Sequence, residues 1–548
     1  MDAASTSLER LASQATLAPE RRGDLAEKLR ARLSAQRGSA VGEALATVEL
    51  AIAVHTVVPN PAVSVIWDVG DHRLPYHLLS GEVGSSDGRS TSGRAVSEGV
   101  GRAVARTLLG DPEPVFVVLD EAGLSTGLAY EAVAHAGQLR LPLVLVLIDF
   151  QTHRSRSVGI LARYFARIRS HPRYTDAKSL IETALRGLPA SDHTVELARR
   201  LKNSIRELVL PTEMWEELLG FLYLGPVDGN NLSALNDILT LARETRRPVV
   251  VHAVVQAGRG LEPESRATTD AIEARVAPTW SLAIGAAIES LVAIDNRAVV
   301  VAAMPAASSG LTTFAEASPE RFFELGLGEA HAVSFAESLA DANFRPVLVI
   351  DASHFPRAIP SLLRGAGKRA ARLTVIGMPH AHAESGDLAL AASVGTMRLA
   401  LPTTDEALTR SLANAFHGSG TTYVRPMFDS PRELTAPDAM ESNGNATWNS
   451  NAALAFIALG TAVPAAVAAA LATGRRAEGI TWLPPTIPLS NAGDEQTLSQ
   501  VVLAVGSEAV ETARLRLPLE LLRIARMVTT DTTESLDAQR DLLIAALG

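Results

Sequence analysis

Val115-Phe-Val-Val-Leu-Asp120 and Leu143-Val-Leu-Val-Leu-Ile-Asp149 decide the fold of this chain. Each is a short, unbroken apolar run rich in β-branched residues, and each ends in an aspartate. A run of that length with no polar alternation predicts a strand buried on both faces, the pattern of a parallel sheet. The same unit recurs at residues 63–67 before Asp68, and at 248–255 before a Gly-x-Gly turn. It recurs again at 298–303, 347–350, 373–376 and 397–401. Helical runs alternate with these strands, which predicts an α/β architecture with helices over both sheet faces. Ligands in such folds gather at the carboxyl ends of strands, where the aspartates stand.

With 548 residues the chain exceeds one hydrophobic core. Amphipathic helices are expected at 22–36 and 42–55. Residues 151–222 break the alternation with Arg154, Arg156, Arg163, Arg167, Arg169 and Arg173, read as a solvated helical excursion. A second α/β segment opens near Trp280. The stretch 435–451, containing Glu441-Ser-Asn-Gly-Asn-Ala-Thr-Trp-Asn-Ser450, reads as a linker, and 452–548 as a smaller α/β unit.

A net charge of −10 leaves no basic excess to exchange with counterions on a nucleic acid. Cysteine is absent, excluding disulfides, thiolate nucleophiles and cysteine-ligated metals. The polar N-terminus lacks the pattern of a secretory signal, and the apolar runs are too short to cross a bilayer, so a cytoplasmic, membrane-free location is the expectation. Neither a Walker A sequence nor a nucleophile elbow is present.

Several further stretches share an order and spacing: Thr47-Val-Glu-Leu50, Ile66-Trp-Asp-Val-Gly70, Gly127-Leu-Ala-Tyr-Glu-Ala132, His135-Ala-Gly137, Gly225-Pro-Val-Asp-Gly229, Gly258-Arg-Gly260 and Gly328-Glu-Ala-His-Ala-Val-Ser-Phe-Ala336. Together they resemble 1-deoxy-D-xylulose-5-phosphate synthase, a transketolase-type thiamine diphosphate enzyme, from about residue 30 to 435. The resemblance implies three parallel-sheet α/β domains of the transketolase type: a diphosphate-binding domain at 1–279 carrying the excursion, a pyrimidine-binding domain at 280–434 and a C-terminal domain at 452–548. It also implies thiamine diphosphate, Mg2+ and a homodimer.

By that resemblance Glu329 is the carboxylate that hydrogen-bonds the cofactor's aminopyrimidine, whose ylide carries the chemistry. His354 stands where the family packs an aromatic side chain on the pyrimidine. Arg357, His72 and His331 are the candidate substrate contacts. The metal-binding Gly-Asp-Gly falls on Asp120-Glu121-Ala122, with Glu121 at the aspartate position and Gly123 following, which makes Glu121 and Gly123 the cofactor-facing candidates. The family's second metal ligand, an asparagine, falls on Phe150. A register slip of one residue would instead bring Asp120 and Asp149 to a cation; the other reading of both is helix capping.

Elsewhere the family's groups are replaced. Its histidines fall at Ala40, Asp71 and residues 90–92, its diphosphate lysine at Ala257, and its phosphate-gripping Asp-Arg-Ala-Gly at Gly377-Met378-Pro379-His380. His380, His382 and Glu384 alternate as zinc ligands on a strand would, or belong to a surface loop. The losses predict a synthase homologue impaired in catalysis, acting as a structural, regulatory or partner subunit, with a competent relative or another protein as partner. The other expectation is an active thiamine diphosphate- and Mg2+-dependent carboligase joining a 2-oxo acid such as pyruvate to an aldehyde. A third is a sensor of some other small anion.

Overall fold

The computed structural model describes residues 19–34, 41–68, 70–80, 93–111, 113–150, 215, 218–256, 279–366, 372–379, 386–394, 396–427, 439–440, 446–448, 454–459, 462–473, 475–480, 482–483, 502–506, 526–530 and 535–547. The chain divides into two compact units, residues 1–275 and 276–548.

The first unit is built on five parallel strands: β1 (Val65–Trp67), β2 (Val115–Asp120), β3 (Leu143–Phe150), β4 (Leu222–Asp228) and β5 (Val249–Val255), in the order β1-β2-β3-β5-β4. The apolar runs at 115–119 and 143–148 are fully buried. Helices Arg94–Leu109, Gly127–Leu139 and Leu232–Thr245 cover the sheet with their apolar stripes. Gly137 lets helix Gly127–Leu139 lie against the chain entering β4, because a Cβ there would sit 1.7 Å from the Leu219 carbonyl oxygen.

Two expectations change here. The helix expected at 42–55 is two helices, Val41–Ala46 and Val48–Val57, parted at Thr47. There the Thr47 amide bonds the Ala44 carbonyl at 3.3 Å, a tighter turn, and its hydroxyl donates to the Ala44 and His72 carbonyls at 3.2 and 2.8 Å. The excursion expected to reach residue 222 ends earlier, since Trp215, Leu219 and Phe221 are core residues and β4 starts at Leu222. Gly225-Pro226 hides that strand in the sequence. Proline is tolerated there because β4 is a sheet edge, and the pairing with β5 shifts register between Leu224 and Val227.

The second unit contains two sheets. One joins β6 (Ala298–Ala302), β7 (Phe322–Glu324), β8 (Arg345–Asp351), β9 (Leu373–Met378), β10 (Arg398–Ala400) and β11 (Thr421–Val424) in parallel. The third sheet begins with the short strands β12 (Ala439–Met440) and β13 (Ala446–Trp448), and continues with β14 (Leu454–Leu459) and β15 (Arg476–Ile480). A two-residue strand, β16 (Trp482–Leu483), instead lies antiparallel on β10 at the edge of the preceding sheet. Strands β17 (Val502–Gly506) and β18 (Arg526–Thr530) complete the third sheet, ordered β12-β13-β15-β14-β17-β18.

The stretch expected as a linker therefore supplies β12 and β13, antiparallel to each other and with β13 paired to β15. Its few strand-forming residues, Thr447 and Trp448 among them, suffice where an edge offers unpaired backbone groups. The fold class is α/β with largely parallel sheets, as the alternation of apolar runs implies.

Candidate functional site

At the carboxyl end of β2, Asp120 caps the short helix Glu121–Leu124. Its Oδ1 accepts from the Gly123 amide at 2.7 Å. The Gly123 carbonyl in turn accepts from the Thr126 hydroxyl at 2.9 Å. The Gly123 amide is thus engaged by the chain's own carboxylate. Burial raises the Asp120 carboxyl above the usual aspartate range, and the Gly123 N–H only partly opposes it. Glu121, partly buried in the first turn, adds a second carboxylate beside it.

The strand register separates Asp120 from Asp149. Asp120 pairs with Ile148 across β2 and β3, so their side chains share one face of the sheet and Asp149 takes the other. There Asp149 meets His252 of β5, with Oδ2 2.9 Å from Nε2, and His252 Nδ1 lies 2.6 Å from the Tyr223 hydroxyl of β4. All three side chains are essentially inaccessible to solvent, at 1 % exposure or less. Capping describes Asp120, whereas Asp149 belongs to a buried cross-strand network. The shared-cation arrangement does not form with this register.

His72 is fully buried, its ring 6.4 Å from Trp67 on one side and 6.4 Å from Phe150 on the other. Trp67 stacks on Tyr76 at 5.0 Å, and Tyr76 meets His55 edge-on at 6.2 Å. An aromatic ladder therefore ends on Phe150, the position where the resemblance places a metal ligand. Among the described residues no group of three or more His, Asp or Glu side chains is arranged to hold a metal ion. A capped Asp120, a spent Gly123 amide and an apolar Phe150 do not fit a metal-bound diphosphate. Ala257, residues 90–92, the arginines of 154–173, and His380, His382 and Glu384 lie outside the described residues.

In the second unit Glu329 opens helix Glu329–Asp341 and is buried, its side chain 1 % exposed. His354 Nδ1 lies 3.1 Å from Oε1, a close contact bent away from hydrogen-bond geometry. Arg357 Nη1 lies 3.4 Å from Oε2 and 3.5 Å from Oε1. Both partners come from the segment after β8, where Asp351 caps the turn Ala352–His354 by accepting from the Ser353 amide at 2.8 Å and its hydroxyl at 2.6 Å. Glu329, His354 and Arg357 are thereby brought together. His331 is not, because two positions along a helix is about 200° of rotation. It is exposed, with its ring 6.0 Å from Phe335.

A further buried cluster has no counterpart among the sequence-based candidates. Asp387 Oδ2 accepts from the Tyr423 hydroxyl at 2.6 Å and from Arg425 Nε at 3.1 Å. Gly377 makes the space, since a Cβ there would lie 2.1 Å from the Tyr423 oxygen. Burial, and then the Asp387 carboxylate, push the Tyr423 phenol well above its usual value. For Arg425 burial acts downward, but Asp387, Tyr423 and Asp351 together outweigh it and raise its value. The sequence signal was an arginine directly after the strand Thr421–Val424; nothing local identified its partner.

The sequence profile of 1-deoxy-D-xylulose-5-phosphate synthase matches residues 6–89 and 85–255. The synthase of Thermomicrobium roseum is 36% identical over 349 residues, which cover 58% of this chain and 55% of the relative. That of Pelotomaculum thermopropionicum is 34% identical over 355 residues, covering 58% and 55%. That of Symbiobacterium thermophilum is 33% identical over 384 residues, covering 63% and 59%. The chain spans little more than half the length of these relatives. Among solved structures, transketolase from Campylobacter jejuni overlaps 96% of this chain and 98% of its own, with 12% identity and a TM-score of 0.39. An inactive β4 tetramer of a split-gene transketolase overlaps 48% of this chain and 96% of its own, with 21% identity and a TM-score of 0.37. Those TM-scores are low, so the α/β assignment rests on the sheets themselves. The sequence matches are stronger: residues 6–89 and 85–255 match the 1-deoxy-D-xylulose-5-phosphate synthase profile, and the chain is similar to its members at 33–36% identity.

Proposed function

We propose that this protein is a synthase relative that keeps the α/β scaffold without the synthase reaction, and acts as a structural or regulatory subunit. The observation that carries this reading is the β2–β3 register. It sets Asp120 and Asp149 on opposite faces of the sheet, with Asp120 committed to Gly123 and Asp149 to His252. A diphosphate placed there would face the carboxylates of Asp120 and Glu121 and the aromatic ring of Phe150. Partnership with a second copy, or with a competent homologue, in the cytoplasm goes with this reading. No described helix is long and apolar enough to cross a membrane.

One observation favours a second reading, in which the chain is a thiamine diphosphate-dependent carboligase acting on a 2-oxo acid. Glu329 is retained and buried beside Arg357, as a pyrimidine-facing carboxylate would be. Isothermal titration of the full-length protein with thiamine diphosphate and Mg2+ separates the two. The subunit reading expects no heat of binding at millimolar cofactor and no consumption of pyruvate. Binding that Glu329→Gln abolishes, together with pyruvate turnover, would establish the enzyme instead.

A further inference from the structure

We propose that Glu329 closes an internal clasp that orders the carboxyl-end segment of β8 with no ligand present. The retained carboxylate then has a present-day role in this chain, independent of whether a cofactor binds.

Three contacts build the clasp. Glu329 stands at the start of helix Glu329–Asp341 with almost no access to water. A buried carboxylate of this kind persists only where nearby groups replace its hydration. Arg357 at 3.4 Å supplies that replacement while the His354 ring packs against the same carboxylate at 3.1 Å, and both rise from one short stretch of chain, residues 352–357. Their side chains are 20% and 16% exposed, so they form the rim around a closed centre. The Ser361 hydroxyl adds a third tie by donating to the Ala330 carbonyl at 3.1 Å. Beneath these ties Ala332, Val333 and Ala336 of the first helix share a core with Phe355, Ala358 and Leu362 of helix Phe355–Ala366.

The consequence is local. Apolar packing holds the two helices together over their length, while the turn Ala352–His354 is held at one end by Asp351 and at the other by Glu329. Without the carboxylate, His354 and Arg357 lose their common anchor and only the Asp351 cap remains.

The test is hydrogen–deuterium exchange on the full chain without cofactor, comparing wild type with Glu329→Gln and His354→Gln. The clasp predicts exchange at least tenfold faster in peptides covering residues 352–357 in Glu329→Gln, and a smaller increase in His354→Gln. Peptides covering Asp387–Ser393 should keep the wild-type rate. Thermal unfolding of Glu329→Gln should fall by several degrees, in line with loss of one partner from a buried charge cluster. Should Glu329→Gln not fold, His354→Gln alone decides by the same peptides. Wild-type exchange at 352–357 in the folded variants would overturn the proposal. Adding thiamine diphosphate is a separate arm that bears on cofactor binding alone, so the two readings fail independently.

Discussion

Asp120 illustrates how a chain's own backbone can engage a strand-end carboxylate. It ends β2 where a cofactor ligand is expected, yet its carboxylate is spent on the amide of Gly123. Because burial raises its folded-state pKa above the unfolded value, the folded protein holds the Asp120 proton more tightly than the unfolded chain does. That contribution to stability is present below the ordinary aspartate value of about 3.9 and is lost as pH rises through the raised folded value. Asp120→Asn keeps a good helix cap but removes the titration. The variant should match or exceed wild-type stability at neutral pH and show a flatter stability profile on the acid side. Urea midpoints across that pH range measure it, and parallel profiles for the two proteins would count against a buried, titrating Asp120.

At the scale of elements, the sheet of the first unit is tied crosswise by Asp149 on β3, His252 on β5 and Tyr223 on β4. A lone histidine inside Val249-Val-Val-His-Ala-Val-Val255 was the visible signal, but its partners depend on which strands lie side by side. Since β5 inserts between β3 and β4, residues more than a hundred positions apart meet through one imidazole. His252→Ala should cost about 3–5 kcal/mol, because it leaves the Asp149 carboxylate buried without this partner. Chemical denaturation would show it as a lowered midpoint. A loss under about 1 kcal/mol, the size of an ordinary surface substitution's effect, would mean that the network is dispensable.

The whole molecule carries 60 acidic against 50 basic side chains. Local ion pairs use several of the arginines: Arg243 with Glu113, Arg345 with Asp295 and Arg425 with Asp387. The excess negative charge predicts no retention of the full-length protein on duplex DNA, even at low salt, where phosphate contacts are strongest. A mobility-shift assay checks this; a complex that dissolves steeply with added salt would reveal a basic surface that the net charge conceals.

The linear sequence by itself determined most of the parallel strands, their alternation with helices, the absence of cysteine chemistry and, through the order of its motifs, the family that the chain resembles. Those properties depend on local residue type and spacing, which the chain carries wherever it goes. Tertiary structure alone decided which carboxylates could act together. Side chains alternate faces along a strand, so pairing Asp120 with Ile148 turned Asp149 toward His252. The same is true of Glu329: its place in a family-like motif was legible, but its partners His354 and Arg357 were fixed only when the segment after β8 folded against the start of helix Glu329–Asp341.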